Sequence, residues 1–460
     1  MNSKKTICAL ALCIVAVCTP AWGLQLPFGE AAKIRRQLDK LGLTDYVLDL
    51  NVSVPVPAVY DSPSLNLWAT VIRPEPDKKL PTILLATAYR RENMLSLGKK
   101  LLLHGYNLML LDLRGTGSSE GKWGSFDLAE QYDTAYVIDH WIPEQSWSDG
   151  RVGMIGPSYC GIIQLFAAGL VDVDNETGEP EHLKAILASE VLSDAYRDIV
   201  MQGGNFNIGF IPLWINEVNS GAVEPPLILE DAGFPADPEV IRQAEAIVQD
   251  HREQVAVTAG WIADYGHAGD GFFYDVRSPM IYWPDKPAAG WSFDEGIRTI
   301  PAKLPVMLST GWFDIFLRGT LNNYTYGLAE HDTADKPLII GQWYHGDGAF
   351  LNGIDAFTSG DAQARWFDWN IKQEGTPLMT DFPVLMYVMG KERWRAEKSW
   401  PLPSSRLQQQ TLFLSKEKPS NIPGDWFSIL NRNNNFLLSS DAGAVDSAGE
   451  NPVLTHNPEN

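Results

Sequence analysis

Val152-Gly153-Met154-Ile155-Gly156-Pro157-Ser158-Tyr159-Cys160-Gly161-Ile162-Ile163 is a short apolar run that meets a glycine-flanked serine and leaves it in a second apolar run. This is the pattern of a strand-to-helix turn carrying a nucleophile, because such a turn lifts a serine hydroxyl clear of a sheet. A Gly-x-Ser match also occurs in ordinary turns, so the segments around it must supply what a nucleophile needs.

Upstream, residues 51–74 alternate: Val52, Val54 and Val56, then Leu65, Leu67, Ala69 and Val71, recur at period two. That predicts an antiparallel pair with one exposed face. Residues 82–87 and 106–111 are continuously apolar and predict strands buried on both faces, with helical spacing between them over residues 95–104. An amphipathic helix is expected over 128–141, then the strand 151–155 that leads into Ser158. A helix over 159–170 and a strand over 183–188 follow. Buried strands alternating with helices define an α/β fold, a mostly parallel doubly wound sheet covered on both sides.

Residues 195–300 interrupt that rhythm with aromatics, including Phe206, Phe210, Trp214, Trp261 and Phe273, and with Pro and Gly. They are expected to form an inserted helical lid. Strands over 304–309 and 337–340, with a helix near 319–328 between them, restore the alternation. From Pro383 the style changes to short β runs separated by turns. The expected organisation is a catalytic domain over 24–380 and a separate, incomplete β-sandwich module over 381–460.

The first residues have the form of a secretory signal: Lys4 and Lys5, an apolar core from Thr6 to Cys18, and small residues at Ala21 and Gly23. That core is shorter than the ~20 apolar residues a membrane span takes. Residues 1–23 are therefore expected to be cleaved, leaving an exported chain with no membrane partner and Cys160 as its one cysteine. No internal disulfide is possible in such a chain, so a large apolar core must hold it, and 45% hydrophobic residues can provide one. A net charge of −21 repels nucleic acid, whose binders carry basic patches.

A serine nucleophile needs a base, a group to orient the base, and donors for the oxyanion that develops on the substrate. In an open α/β sheet these belong where strands end at their carboxyl edge. The strand 305–310 runs into Gly311-Trp312-Phe313-Asp314, and the strand 337–340 runs into Gly341-Gln342-Trp343-Tyr344-His345. The order Ser158, Asp314, His345 is that of the α/β-hydrolases. Of the eight histidines, His345 alone follows a late core strand, and Asp347 and Asp355 are less well placed than Asp314. Cys160, in the first turn of a buried helix, reads as a small packing residue. The Asp172–Gly178 run has its glycine at the wrong position for a calcium loop. No metal or organic cofactor is expected. One oxyanion donor is the Tyr159 N–H; the residues alone leave open whether the Tyr89 hydroxyl is the second or whether Tyr89 only packs.

These segments together resemble the CocE/NonD family of α/β-hydrolases, the Xaa-Pro dipeptidyl-peptidase-like group. The likeness rests on Tyr89-Arg90, on Asp112-Leu113-Arg114-Gly115-Thr116-Gly117, on Gly156-Pro157-Ser158-Tyr159-Cys160-Gly161, and on the Asp314 and His345 loops. It departs at Ala88, where the family usually has proline, and in the short end of the chain. The resemblance implies Ser158 as nucleophile, His345 as base, Asp314 as orienter, and Tyr89 with the Tyr159 amide as oxyanion donors. It implies small ester, amide or short peptide substrates, with acyl-ester or amide cleavage preferred, Xaa-Pro dipeptidyl-peptidase activity as the alternative, and a non-catalytic binding protein as the reading from another class.

Overall fold

The computed structural model describes residues 29–60, 62–232, 237–265, 271–284, 299–346, 359–406, 411–415, 437–439 and 453–455. The expected signal segment lies outside them. The chain divides into two compact units between Lys398 and Ser399.

The first unit is built on a ten-stranded sheet. Its strands are β1 (Val47–Val56), β2 (Leu65–Arg73), β3 (Leu80–Thr87), β4 (Asn107–Asp112), β5 (Ser148–Pro157), β6 (Leu183–Ser189), β7 (Val306–Phe313), β8 (Leu338–Tyr344), β9 (Val384–Val388) and β10 (Arg393–Glu397), in the order β1-β2-β4-β3-β5-β6-β7-β8-β9-β10. From β4 across to β9 every neighbouring pair is parallel. This is the α/β-hydrolase architecture. The alternating stretch forms the antiparallel hairpin, with Val52 opposite Ala69, Val54 opposite Leu67 and Val56 opposite Leu65.

The continuous apolar runs are central strands for a physical reason. Every residue of β4 is buried, as are residues 81–87 of β3, because helices cover both faces. One side packs Ile83, Leu85, Leu108, Leu110, Leu187 and Ile339 against Trp366, Phe367 and Ile371 of the segment 359–372. On the other side the helix Tyr159–Ala168 is buried along its whole length.

The boundary expected at residue 381 is corrected. β9 pairs in parallel with β8, Leu338 opposite Val384 and Ile340 opposite Met386, and β10 closes that edge antiparallel. Val384 and Met386 alternate into the core, which anchors a five-residue strand to the main sheet. Short length and flanking turns made these runs look like a separate module, but the choice of partner is made by the exposed edge of β8. The second unit contains a small antiparallel sheet in which Thr411–Ser415 lies between Leu437–Ser439 and Val453–Thr455. Beyond residue 406, the rest of the expected sandwich module lies outside the described residues. In the 195–300 insertion the main described elements are the helices Ile211–Val223 and Pro238–Tyr265.

Candidate active site

The serine turn is as sharp as its glycines suggest. Ser158 sits between β5 and the helix Tyr159–Ala168 at φ 55°, ψ −126°, a strained conformation that costs on the order of 1–3 kcal/mol and is held by its surroundings. Two of those surroundings tolerate no side chain. A Cβ on Gly156, at φ 151°, would meet the Cys160 Cβ at 2.4 Å, and a Cβ on Gly161 would meet the Ser189 carbonyl oxygen at 2.6 Å. The helix can then start directly under the serine, and the Ser158 N–H donates to Ser189 O at 2.9 Å.

The ends of β7 and β8 bring the other two side chains to that hydroxyl. His345 Nε2 lies 2.9 Å from Ser158 Oγ, and His345 Nδ1 lies 2.7 Å from Asp314 Oδ1. Asp314 is buried, and its second oxygen accepts from Thr310 Oγ1 at 2.8 Å. Burial disfavours the imidazolium, but the hydrogen bond and charge of Asp314, helped by the charge of Glu190, outweigh it and raise the His345 pKa. The imidazole is thus made more basic by its carboxylate partner. Glu190, Asp314 and His345 converge closely enough to suggest metal ligation. Their donor atoms are instead engaged with one another, with Ser158 and with the Gly346 N–H, so the cluster is a hydrogen-bonded relay.

Both expected oxyanion donors border the same space. Tyr159 opens its helix, so no preceding turn of that helix accepts from its N–H. The Tyr89 hydroxyl interacts with Ser158 and accepts from Trp214 Nε1 at 2.8 Å. Because Trp214 donates to the phenol oxygen, the Tyr89 proton is left to point elsewhere. Burial pushes the Tyr89 phenol well above its ordinary value, which keeps it protonated and a donor. The loop that carries it is anchored twice. Arg90, at φ 68°, donates to Gly221 O and Pro225 O of the insertion at 3.0 and 2.8 Å, and fully buried Arg91 pairs with fully buried Asp112.

Sequence reasoning missed the polar network behind the serine. The Tyr159 hydroxyl lies 2.6 and 2.8 Å from the two Glu130 oxygens and accepts from Trp123 Nε1 at 2.8 Å and the Phe126 N–H at 3.2 Å. Burial pushes the Glu130 carboxyl up to about 8, with the Asp127 charge adding to it. The available signal was the spacing Asp127-x-x-Glu130, which reads as a capping box. Asp127 does cap the helix, accepting from the Glu130 N–H at 3.0 Å, but the Glu130 carboxyl turns to Tyr159. Trp214 and Glu190 were also missed. Burial pushes the Cys160 thiol up to about 11, which leaves it un-ionised and suited to packing.

A cleft of about 790 Å³, open mouth included, leads to Ser158. Its walls are apolar and aromatic: Phe126, Tyr159, Ile162 and Phe316 come from the sheet side, and Phe206, Phe210, Trp214, Trp261 and Phe273 from the insertion. Among the described lining residues there is no carboxylate, and Arg277 is the charged one. The Arg277 guanidinium donates to Gly124 O and Phe273 O and lies 3.9 Å over the Phe273 ring.

A parallel sheet, a strained serine elbow and a Ser–His–Asp relay at the strand ends define an α/β-hydrolase. More narrowly, residues 64–347 match the model of the X-Pro dipeptidyl-peptidase (S15) family, and the chain belongs to that family. It is 27% identical over 379 residues to the cocaine esterase of Rhodococcus sp. (strain MB1 Bresler), covering 78% of this chain and 61% of that one. A CocE/NonD family hydrolase from Staphylococcus aureus has the same fold, with a TM-score of 0.54 at 20% identity over 81% of this chain and 59% of that one. An alpha-amino acid ester hydrolase matches with a TM-score of 0.55 at 18% identity, over 81% and 62% of the two chains. The chain therefore spans about six tenths of the length of these relatives.

Proposed function

We propose that this protein is a serine hydrolase that cleaves esters or amides of apolar, uncharged acyl groups through an acyl-enzyme. The observation that carries the reading is the unbroken hydrogen-bonded line from Asp314 through His345 to Ser158, at 2.7 and 2.9 Å. His345 Nε2 takes the Ser158 proton as Oγ bonds to the substrate carbonyl carbon, and Asp314 holds the Nδ1 proton and the tautomer. The Tyr89 hydroxyl and the Tyr159 N–H stabilise the oxyanion. The carbon–leaving-group bond then breaks, and the leaving group departs with the proton from His345. Water, deprotonated by the same imidazole, releases the acid and restores Ser158.

The acyl preference rests on the cleft. Aromatic walls bury an apolar acyl chain favourably. A dipeptidyl peptidase has to neutralise a free amino terminus, which takes carboxylates in the pocket. The described lining offers none, and a cationic amine beside Arg277 meets like charge. Ester and amide acyl transfer is accordingly preferred over Xaa-Pro cleavage.

The test compares p-nitrophenyl butyrate and benzoate with an Xaa-Pro p-nitroanilide, using the full chain and Ser158→Ala. Turnover of the esters should fall by about 10⁴–10⁶ in the variant, with fluorophosphonate labelling abolished. Undiminished ester hydrolysis in Ser158→Ala overturns the mechanism, and anilide cleavage faster than ester cleavage overturns the substrate reading. Export is proposed on the Lys4–Lys5 and apolar-core pattern alone. An intact amino terminus on protein recovered from expressing cells would refute it.

A further inference from the structure

Glu190 is the residue at the strand ends that the reaction as written does not use. It follows β6 directly and takes a left-handed backbone, φ 56°, seldom adopted by residues with a Cβ. Its side chain is fully buried, where a carboxylate is costly unless its charge is used. Its own N–H donates to Ser309 O at 2.7 Å, while the preceding carbonyl, Ser189 O, holds the Ser158 N–H at 2.9 Å. Its Oε2 accepts from the Gly346 N–H at 2.6 Å and lies 3.8 Å from His345 Nδ1. One two-residue step at the end of β6 therefore touches both the nucleophile and the histidine loop.

Among the described residues, the groups facing the imidazole come from several elements around it. Asp314 lies in the loop after β7 and Ser158 in the elbow, while Glu190 follows β6; the uncharged Phe316 ring meets the imidazole edge-on, centroids 5.2 Å apart. Asp314 already occupies Nδ1, so a second hydrogen bond to that atom is not what Glu190 supplies.

We propose that Glu190 is a positioning residue of the relay: it fixes the histidine loop through the Gly346 N–H and places a second negative charge beside the imidazolium that forms when His345 takes the Ser158 proton. The proposal rests on the serine-hydrolase reading above. Its sign is definite. A carboxylate beside a histidine favours the protonated ring, so removing the charge lowers the pH at which His345 protonates and makes it a weaker base.

Glu190→Gln removes the charge and keeps an oxygen for the Gly346 N–H. With p-nitrophenyl butyrate, the acid limb of kcat/KM should move down by about one pH unit, with plateau kcat about tenfold lower and KM within about twofold. Glu190→Asp should restore the limb. Histidine NMR, with His345 assigned from His345→Ala, should show the same shift without any turnover. An unmoved limb and an unmoved His345 titration in Glu190→Gln overturn the proposal, whatever happens to stability. If that variant does not fold, Glu190→Met supplies the same neutral comparison. If neither folds, Glu190→Ala and Glu190→Ser supply the neutral comparison, judged by the same His345 titration. Failure of the wild-type protein to react with a fluorophosphonate would refute the hydrolase reading separately, since the NMR titration still judges Glu190.

Discussion

Replacing Glu130 by glutamine should make the protein less sensitive to alkali, by an amount that follows from where the carboxyl sits. Glu130 is fully buried, its oxygens are 2.6 and 2.8 Å from the Tyr159 hydroxyl, and burial with the Asp127 charge pushes its pKa from 4.5 up to about 8. Between those two values the folded protein holds a proton that the unfolded chain has released. A carboxyl raised in this way stabilises the fold fully below the unfolded pKa and loses that contribution as pH climbs through the folded one. From pH 5 to pH 7 the loss comes to about 2.5 kcal/mol, at about 1.36 kcal/mol per pH unit over most of the interval. Glutamine has no proton to lose, and its amide oxygen can still accept from Tyr159. Urea unfolding at pH 5, 6, 7 and 8 should therefore show wild type losing stability relative to Glu130→Gln by that amount between pH 5 and pH 7. The Asp133 carboxyl, which burial raises to about 6, contributes with the same sign in both proteins and drops out of the difference. Two profiles that stay parallel across this range would refute a protonated Glu130 and the account of burial behind it.

Tyr89→Phe should lower kcat by about 10²–10³ with KM little changed, since it removes one oxyanion donor and leaves the cleft wall; an ester kcat within threefold of wild type would assign Tyr89 to packing alone. Asp112→Ala should destabilise the first unit by about 3–5 kcal/mol, read by urea unfolding. It strands the fully buried Arg91 and removes the acceptor of the Arg91 and Ser118 amides, at 2.7 and 2.9 Å. A loss below 1 kcal/mol would show that water reaches the pair.

The parts of the site that were legible in the sequence are those fixed by local chain chemistry. Ser158, Asp314 and His345 each follow a buried apolar run, and a parallel sheet delivers the carboxyl ends of all such runs to one edge. Glu190 also follows a buried strand, yet Ser-Glu-Val after β6 looks like any strand exit; its meaning lies in a contact with Gly346, 156 residues away. Trp214 was one aromatic among many in the insertion, and only the fold selects it for Tyr89. Glu130 was masked by a helix-start pattern that explained the residue without its side chain. β9 was read as a short β run of a separate module and β10 was not singled out, because five residues carry enough signal for a strand and too little for its neighbour.

On the proposed mechanism the insertion is part of the catalytic apparatus as well as a wall of the cleft. Trp214 sets the direction of the Tyr89 phenol, Arg90 ties the oxyanion loop to Gly221 and Pro225, and His251 of the helix Pro238–Tyr265 bonds to Ser119 O in the loop after β4. Phe206, Phe210 and Trp261, by contrast, line the cleft without entering those bonds. A cover that only admitted substrate would act through KM. One that also orients an oxyanion donor acts through the transition state, because that donor's full interaction exists only there. Substitutions at Phe206, Phe210 and Trp261 should then alter which acyl group is accepted, whereas substitutions at Trp214, which lines the cleft as well, should in addition lower kcat for every acyl group. Two residue sets within one insertion thus separate specificity from catalysis by the atoms they touch.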